Sequence, residues 1–131
     1  KVVFVTVANL LGEDERLVPF AAHLLAHMAP EATPLKVEGE VEYLINQNSR
    51  GWVVTLFNDS GVFKPQQGLG QVDRNARVTA KISLRAGSML SASEWTTDQA
   101  LTVSRKAGAF EETSVEIPAG GVAVVELVLK R

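Results

Sequence analysis

The segment from Val41 to Gly61, VEYLINQNSRGWVVTLFNDSG, most constrains what this chain can fold into. Val41, Tyr43 and Ile45 alternate with Glu42, Leu44 and Asn46, the period of two that sends successive side chains to opposite faces of a sheet. Asn48-Ser49-Arg50-Gly51 is turn chemistry, with a glycine where the chain reverses. Trp52 to Phe57 supplies a second run rich in β-branched and aromatic residues, closed by Asn58-Asp59-Ser60-Gly61. The pattern predicts a β-hairpin that nucleates a sheet. Trp52 shares its face with Val54 and Leu56, so that ring reads as core.

Downstream the β signal continues. After a long loop, Val62 to Asn75, Val78, Ala80, Ile82 and Leu84 alternate with Thr79, Lys81, Ser83 and Arg85. Ala86-Gly87-Ser88 turns the chain into a strand from Met89 to Trp95, and Thr96-Thr97-Asp98 turns it again. Leu101 to Ser104 reads as a short strand before a turn at Lys106-Ala107-Gly108. Val115 and Ile117 lead to Pro118-Ala119-Gly120-Gly121. In the closing strand, Val122, Val124, Glu126 and Val128 face opposite to Ala123, Val125, Leu127 and Leu129. About seven strands at short spacing with turns between them predict a mainly β fold, an antiparallel β-sandwich. Roughly 95 residues suffice for two packed sheets. A barrel fits less well, because strand lengths vary and several strands have one polar face.

The first third differs. Residues 2–8, VVFVTVA, form a continuous apolar run of the kind found in strands buried on both faces. Asn9 to Asp14 is turn-like. A helix is expected from about Leu17 to Met28, with Pro19 in its first turn and Leu17, Phe20, Ala21, Leu24, Leu25 and Met28 as an apolar stripe. Pro30 and Pro34 are expected to end it. The stretch Ala29–Leu35, with two prolines and no periodicity, is the best boundary. The organisation expected is a strand–helix segment over 1–34, the end of a preceding α/β domain, and a β-sandwich domain over 35–131. A chain that opens on Lys1-Val2-Val3 inside an apolar run reads as a piece of something longer.

Composition removes several function classes. The 131 residues are 46% hydrophobic and 21% charged, a globular balance, and the net charge of −2 gives no general attraction to nucleic acid. Arg74, Arg77, Lys81 and Arg85 are the densest basic group. Three of them alternate on one strand, which reads as a solvated face. With no cysteine, disulfides, thiol catalysis and thiolate metal sites are excluded, and no apolar run approaches the ~20 residues of a membrane span.

Reactive constellations are equally sparse. His23 and His27 are four apart on the expected helix, a spacing that can place two imidazoles on one metal. No metalloprotease carboxylate accompanies them and both fall on the flank away from Leu24, so they read as exposed helix histidines and no metal site is assigned. Glu38, Glu40, Glu42, Glu94, Glu111 and Glu112 are candidate carboxylates for glycoside hydrolysis, but spacing selects none as a catalytic pair. Glu111-Glu112 reads as a strand-edge or turn charge. Gly68-Leu69-Gly70 lacks the third glycine and the following helix of a dinucleotide fingerprint, and no cofactor is expected. The aromatics remain: Trp95 at a strand end, Tyr43 and, less so, Trp52 are candidates for stacking on sugar rings. Gln66 and Gln67, in a long loop, suit hydrogen bonding to sugar hydroxyls or to a neighbouring domain. Trp95, Tyr43, Gln66 and Gln67 are therefore the candidate carbohydrate contacts, and no catalytic residue is assigned.

The succession LINQNSRGWVVTLFNDSGV, SASEW and VEIPAGGVAVVEL resembles the C-terminal β-sandwich of multidomain bacterial glycoside hydrolases of the β-galactosidase type. The opening VVFVTVANLL with its helix resembles the end of the glutamine-amidotransferase-like α/β domain that precedes that sandwich. The resemblance implies an accessory domain whose partners are the preceding domains of the same polypeptide, with carbohydrate a further candidate partner, and it slightly favours an extracytoplasmic location. In such enzymes the acid and the nucleophile lie on a TIM barrel further N-terminal, so the resemblance implies no catalysis by this chain itself. The Lys64–Gly70 loop departs from that pattern.

Overall fold

The computed structural model describes residues 15–32, 34–84, 89–106 and 110–130. The chain divides into two compact units, Lys1–Pro34 and Leu35–Arg131.

In the first unit a 3₁₀ turn, Glu15–Leu17, leads into helix α1, Val18–Ala32. The helix continues past Pro30, where the sequence suggested it would stop. A proline removes only its own N–H from the ladder, and near a C-terminus few hydrogen bonds depend on it. Ala21 is the buried member of the stripe, whereas Phe20, Leu25 and Met28 are exposed. His23 is exposed; the His27 side chain, the apolar run over 2–8 and the turn after it lie outside the described residues. No described helix is long and apolar enough to cross a membrane.

The second unit is an antiparallel β-sandwich. Its strands are β1 Leu35–Glu38, β2 Glu42–Gln47, β3 Gly51–Phe57, β4 Val62–Phe63, β5 Gln71–Val72, β6 Val78–Leu84, β7 Met89–Glu94, β8 Gln99–Leu101, β9 Ser104–Lys106, β10 Phe110–Ile117 and β11 Val122–Leu129. One sheet has the order β1-β6-β10-β9 and the other β2-β3-β11-β7-β8, while β4 and β5 form a separate small hairpin. The core lies between the two sheets. Val54, Leu56, Ala92, Ala123, Val125 and Leu127 of the five-stranded sheet meet Leu35, Ala80, Ile82, Leu84, Val115 and Ile117 of the other. Trp52 packs against this cluster from the same face as Val54 and Leu56.

Eleven described strands replace the seven or so expected. The additions are short, such as β1, β4 and β5, or come from redrawn boundaries, as where Leu101–Ser104 is divided between β8 and β9. Two to four residues hold too few alternations to announce a strand, and only their pairing partners make them one. β10 is also longer than expected and takes in Glu111 and Glu112, which are strand residues and not turn charges. Arg85 and the turns over 86–88 and 107–108 lie outside the described residues.

The outer faces of the two sheets differ in character. On the four-stranded sheet, cross-strand pairing lines up Lys36 and Glu112 with Ser83, Glu38 and Ser114 with Lys81, and Glu116 with Thr79. Arg77 adds an ion pair to Glu116 at 2.8 Å, so Arg77 and Lys81 belong to a solvated face. On the five-stranded sheet, one outer row runs Leu44–Thr55–Val124, and the next pairs Phe57 with Val122 and Glu42.

Candidate functional site

The end of the sandwich where β3 leaves and β11 enters gathers several turns, and two side chains hold them. Asn58 follows β3 and is buried. Its Nδ2 donates to the carbonyls of Ala76 (3.0 Å), Ile117 (3.0 Å) and Pro118 (3.1 Å), and its Oδ1 accepts from the Ser60 amide at 3.0 Å. Its own amide donates to the Gly121 carbonyl at 3.0 Å. A short amide side chain with donor and acceptor is what such a junction of orphan backbone groups needs.

Glu94 is the second fastener. It ends β7 on the core side, paired with Val125, and is buried. Oε1 accepts from the Thr96 amide (2.9 Å), the Thr96 hydroxyl (2.7 Å) and the Val124 amide (3.1 Å). Oε2 accepts from the Thr97 amide (2.7 Å) and hydroxyl (2.5 Å). Burial raises the Glu94 pKa, but the hydrogen bonds from Thr97, Thr96 and Val124 outweigh it, leaving the carboxyl at about 2, below its ordinary 4.5. The turn this builds presents Trp95, 50% exposed, while the Trp95 amide donates to the Val124 carbonyl at 2.8 Å. Trp95 therefore extends the Leu44–Thr55–Val124 row by one strand. The row is capped at its two ends by exposed apolar residues, roughly 14 Å apart at about 4.8 Å per strand.

The small β4–β5 hairpin springs from the same end. The Asp73 amide donates to the Gly61 carbonyl at 2.8 Å, and Gly120 lies against Val62. Beyond this anchored base the hairpin is open: Phe63 is 62% and Leu69 90% exposed, with Gln66 and Gln67 exposed between them.

The four candidate carbohydrate contacts do not form one platform. Tyr43, 42% exposed, pairs with Leu56 and so stands on the inner side of edge strand β2, whereas Trp95 is in register with the outer row. Gln66 and Gln67 sit on the separate hairpin. Trp95, Val122 and Phe57 are the aromatic and apolar groups that the sheet brings together.

Of the six carboxylates left open by spacing, Glu94 and Glu111 are buried and do structural work, as does Glu126 of the closing strand, while Glu38, Glu40 and Glu42 are exposed. Glu111 accepts from Arg105 Nε at 3.1 Å and from the Met89 amide. Glu126, buried on the outer face of the five-stranded sheet, accepts from Asn48 Nδ2 and Arg50 Nη2, each at 2.7 Å. Glu94, Glu111 and Glu126 lie at three different places: Glu94 and Glu126 each hold a strand to a turn, and Glu111 ties β10 to β9 and to the start of β7. None of the described buried side-chain polar atoms lacks a hydrogen-bond partner, and no described group of acidic and histidine side chains could hold a metal ion. Sequence reasoning read Asn58 only as turn chemistry and Glu94 only as one of six unselected carboxylates, and missed the fastening role of both. Glu94 left one signal, the threonines two and three positions on, whose amides and hydroxyls curl back to a preceding carboxylate.

Comparisons with protein-family models, with curated proteins and with solved structures gave no match.

Proposed function

We propose that Leu35–Arg131 is a non-catalytic accessory sandwich that packs against and positions a neighbouring domain of a larger protein. The supporting observation is the difference between its two outer faces. The four-stranded sheet carries Lys36, Glu38, Lys81, Glu112 and Glu116 outward, as a face meant for water does. The five-stranded sheet carries Leu44, Phe57, Val122, Val124 and Trp95, interrupted by Thr55 and bordered by Glu42, a largely apolar surface of the kind that marks interaction sites. The carbohydrate-active setting rests on the resemblance of LINQNSRGWVVTLFNDSGV, SASEW and VEIPAGGVAVVEL to glycoside hydrolase sandwiches.

Two measurements test this reading. The isolated chain should not turn over chromogenic glycosides, and clear activity would overturn it. In a Trp52→Phe background, acrylamide should quench Trp95 in the isolated chain and much less in the complete gene product. Equal quenching in both would remove the docking role.

One observation favours a second reading, a carbohydrate-binding module. Trp95 is half exposed on a turn that Glu94 holds with four hydrogen bonds, a fifth tying it to β11, and a rigid exposed indole suits stacking on a sugar ring. Soluble oligosaccharides should then change tryptophan fluorescence, and Trp95→Ala should abolish the change. Silence across a broad glycan panel sinks this alternative.

A further inference from the structure

The five-stranded sheet ends on β2, Glu42–Gln47. Among the described residues β2 has β3 as its neighbour on one side and none on the other, and five of its six residues are exposed. Edge strands of this length are ordinarily blunted by lysine, proline or a bulge. The sequence EYLINQ contains no lysine or proline, and its pairing with β3 runs without a register shift.

The hydrogen-bond phase of this edge follows from the hairpin turn. The Asn48 amide donates to the Gly51 carbonyl at 3.0 Å, which makes that pair a hydrogen-bonded one. Alternation then directs the main-chain groups of Asn46, Leu44 and Glu42 to β3, and those of Tyr43, Ile45 and Gln47 outward. A second strand can bond to this edge only by presenting its own outward-facing residues to these three.

We propose that β2 pairs antiparallel with β2 of a second copy of this chain, on a two-fold axis through Leu44. In this register Tyr43 exchanges hydrogen bonds with Ile45 of the second copy, and Leu44 meets Leu44 in the non-hydrogen-bonded position, where side chains approach most closely. Glu42, the one charged residue of the strand, falls opposite Asn46, a neutral amide with donors to offer, and no like charges are juxtaposed. The parity of the outward groups keeps the faces in step. Tyr43 and Ile45 stay on the inner side, and Leu44, 58% exposed in the single chain, becomes the centre of one outer row crossing both copies. Self-complementarity of charge and phase is what favours a second copy over an unrelated strand. The inference concerns the edge of the sheet and does not depend on the accessory-domain reading of its face.

Sedimentation of the 131-residue chain over a concentration series tests this. An edge of this size is small beside the ~1,600 Å² of a standard interface, so association is expected in the micromolar range and a dimer by about 100 μM. Leu44→Lys, at an exposed position, should fold normally by circular dichroism. It should weaken dimerisation at least about tenfold, through loss of the leucine contact and juxtaposition of two ammonium groups. Leu44→Glu alone should do the same, and mixing the two variants should restore a one-to-one heterodimer. A chain monomeric throughout overturns the proposal, as does a dimer that neither variant weakens or an equimolar mixture that stays monomeric.

Discussion

The carboxylate of Glu94 accepts the Val124 amide at 3.1 Å, while the Val124 carbonyl accepts the Trp95 amide at 2.8 Å. The last rung between β7 and β11 is thus half side chain and half main chain. The buried anion holds both the strand end and the turn that follows it.

Glu94→Ala should therefore be among the most damaging single changes in the domain. It strands the Thr96, Thr97 and Val124 donors and removes a buried side chain, a loss of roughly 2–4 kcal/mol in chemical denaturation. The pH dependence has a defined sign. The folded pKa of about 2 lies below the ordinary 4.5, so the contribution is fully present above pH 4.5 and is lost as pH falls towards 2. Its size should be roughly 2 kcal/mol, below the full linkage value because the Thr96–Thr97 turn is open to water. Glu94→Gln should flatten the acid limb of the stability–pH curve, which thermal melts between pH 2 and 5 would read directly.

Asn58 makes a different prediction, because its Nδ2 faces three carbonyl oxygens. Asn58→Asp keeps the shape but points a carboxylate oxygen at those acceptors, and it should cost more than Asn58→Ala. About 3 kcal/mol is expected for aspartate at pH 7, with partial recovery as the pH is lowered and the acid regains a proton to donate. Equal effects of the two substitutions in urea titrations would contradict the donor role.

Gly51 opens β3 directly beside β11, as the cross-strand partner of Val128. A Cβ there would collide with the Leu127 carbonyl oxygen, a main-chain atom that cannot swing aside. Gly51→Ala should destabilise the domain by roughly 2–4 kcal/mol, although alanine in a strand is otherwise preferable to glycine. Differential scanning calorimetry would show it as a lowered midpoint.

Glu126 sits buried on the outer face beneath Arg50 and Asn48. Removing Arg50 alone leaves a buried carboxylate with one donor fewer, so Arg50→Ala should cost about 1–2 kcal/mol, moderated by the exposure of the arginine. The double change Arg50→Ala with Glu126→Val should recover most of that loss, because it removes the buried charge along with its partner. A double-mutant cycle in urea measures the coupling.

How much of this was legible in the sequence depended on the range of the forces involved. The alternation at Val41–Phe57 and at Val122–Leu129 is local, and it gave the hairpin, the core face and the placement of Trp52. Glu94, Asn58 and Glu126 owe their burial to partners brought in by the fold: Asn58 reaches Pro118 and Glu126 reaches Asn48. No local pattern encodes such meetings, except that Thr96 and Thr97 follow Glu94 closely enough to hint at one. The same limit applies to the proposed aromatic contacts. Tyr43 and Trp95 are both visibly aromatic and near strand ends, but only the register of β2, β3 and β11 reveals that they face opposite sides.

The strand order of the larger sheet also bears on how the chain acquires its fold. β11, the last strand in the sequence, lies in the middle, between β3 and β7. Until it arrives β3 and β7 have open edges, Glu94 lacks the Val124 amide, and Asn48 and Arg50 have no carboxylate to grip. A nascent chain emerging from the ribosome can close the Asn48–Gly51 turn early, but must hold two half-built layers apart until Val122–Leu129 is free to insert. Folding should accordingly be slow and all-or-none, governed by long-range closure. The interval before insertion is when the exposed apolar strands are most open to trapping by other chains.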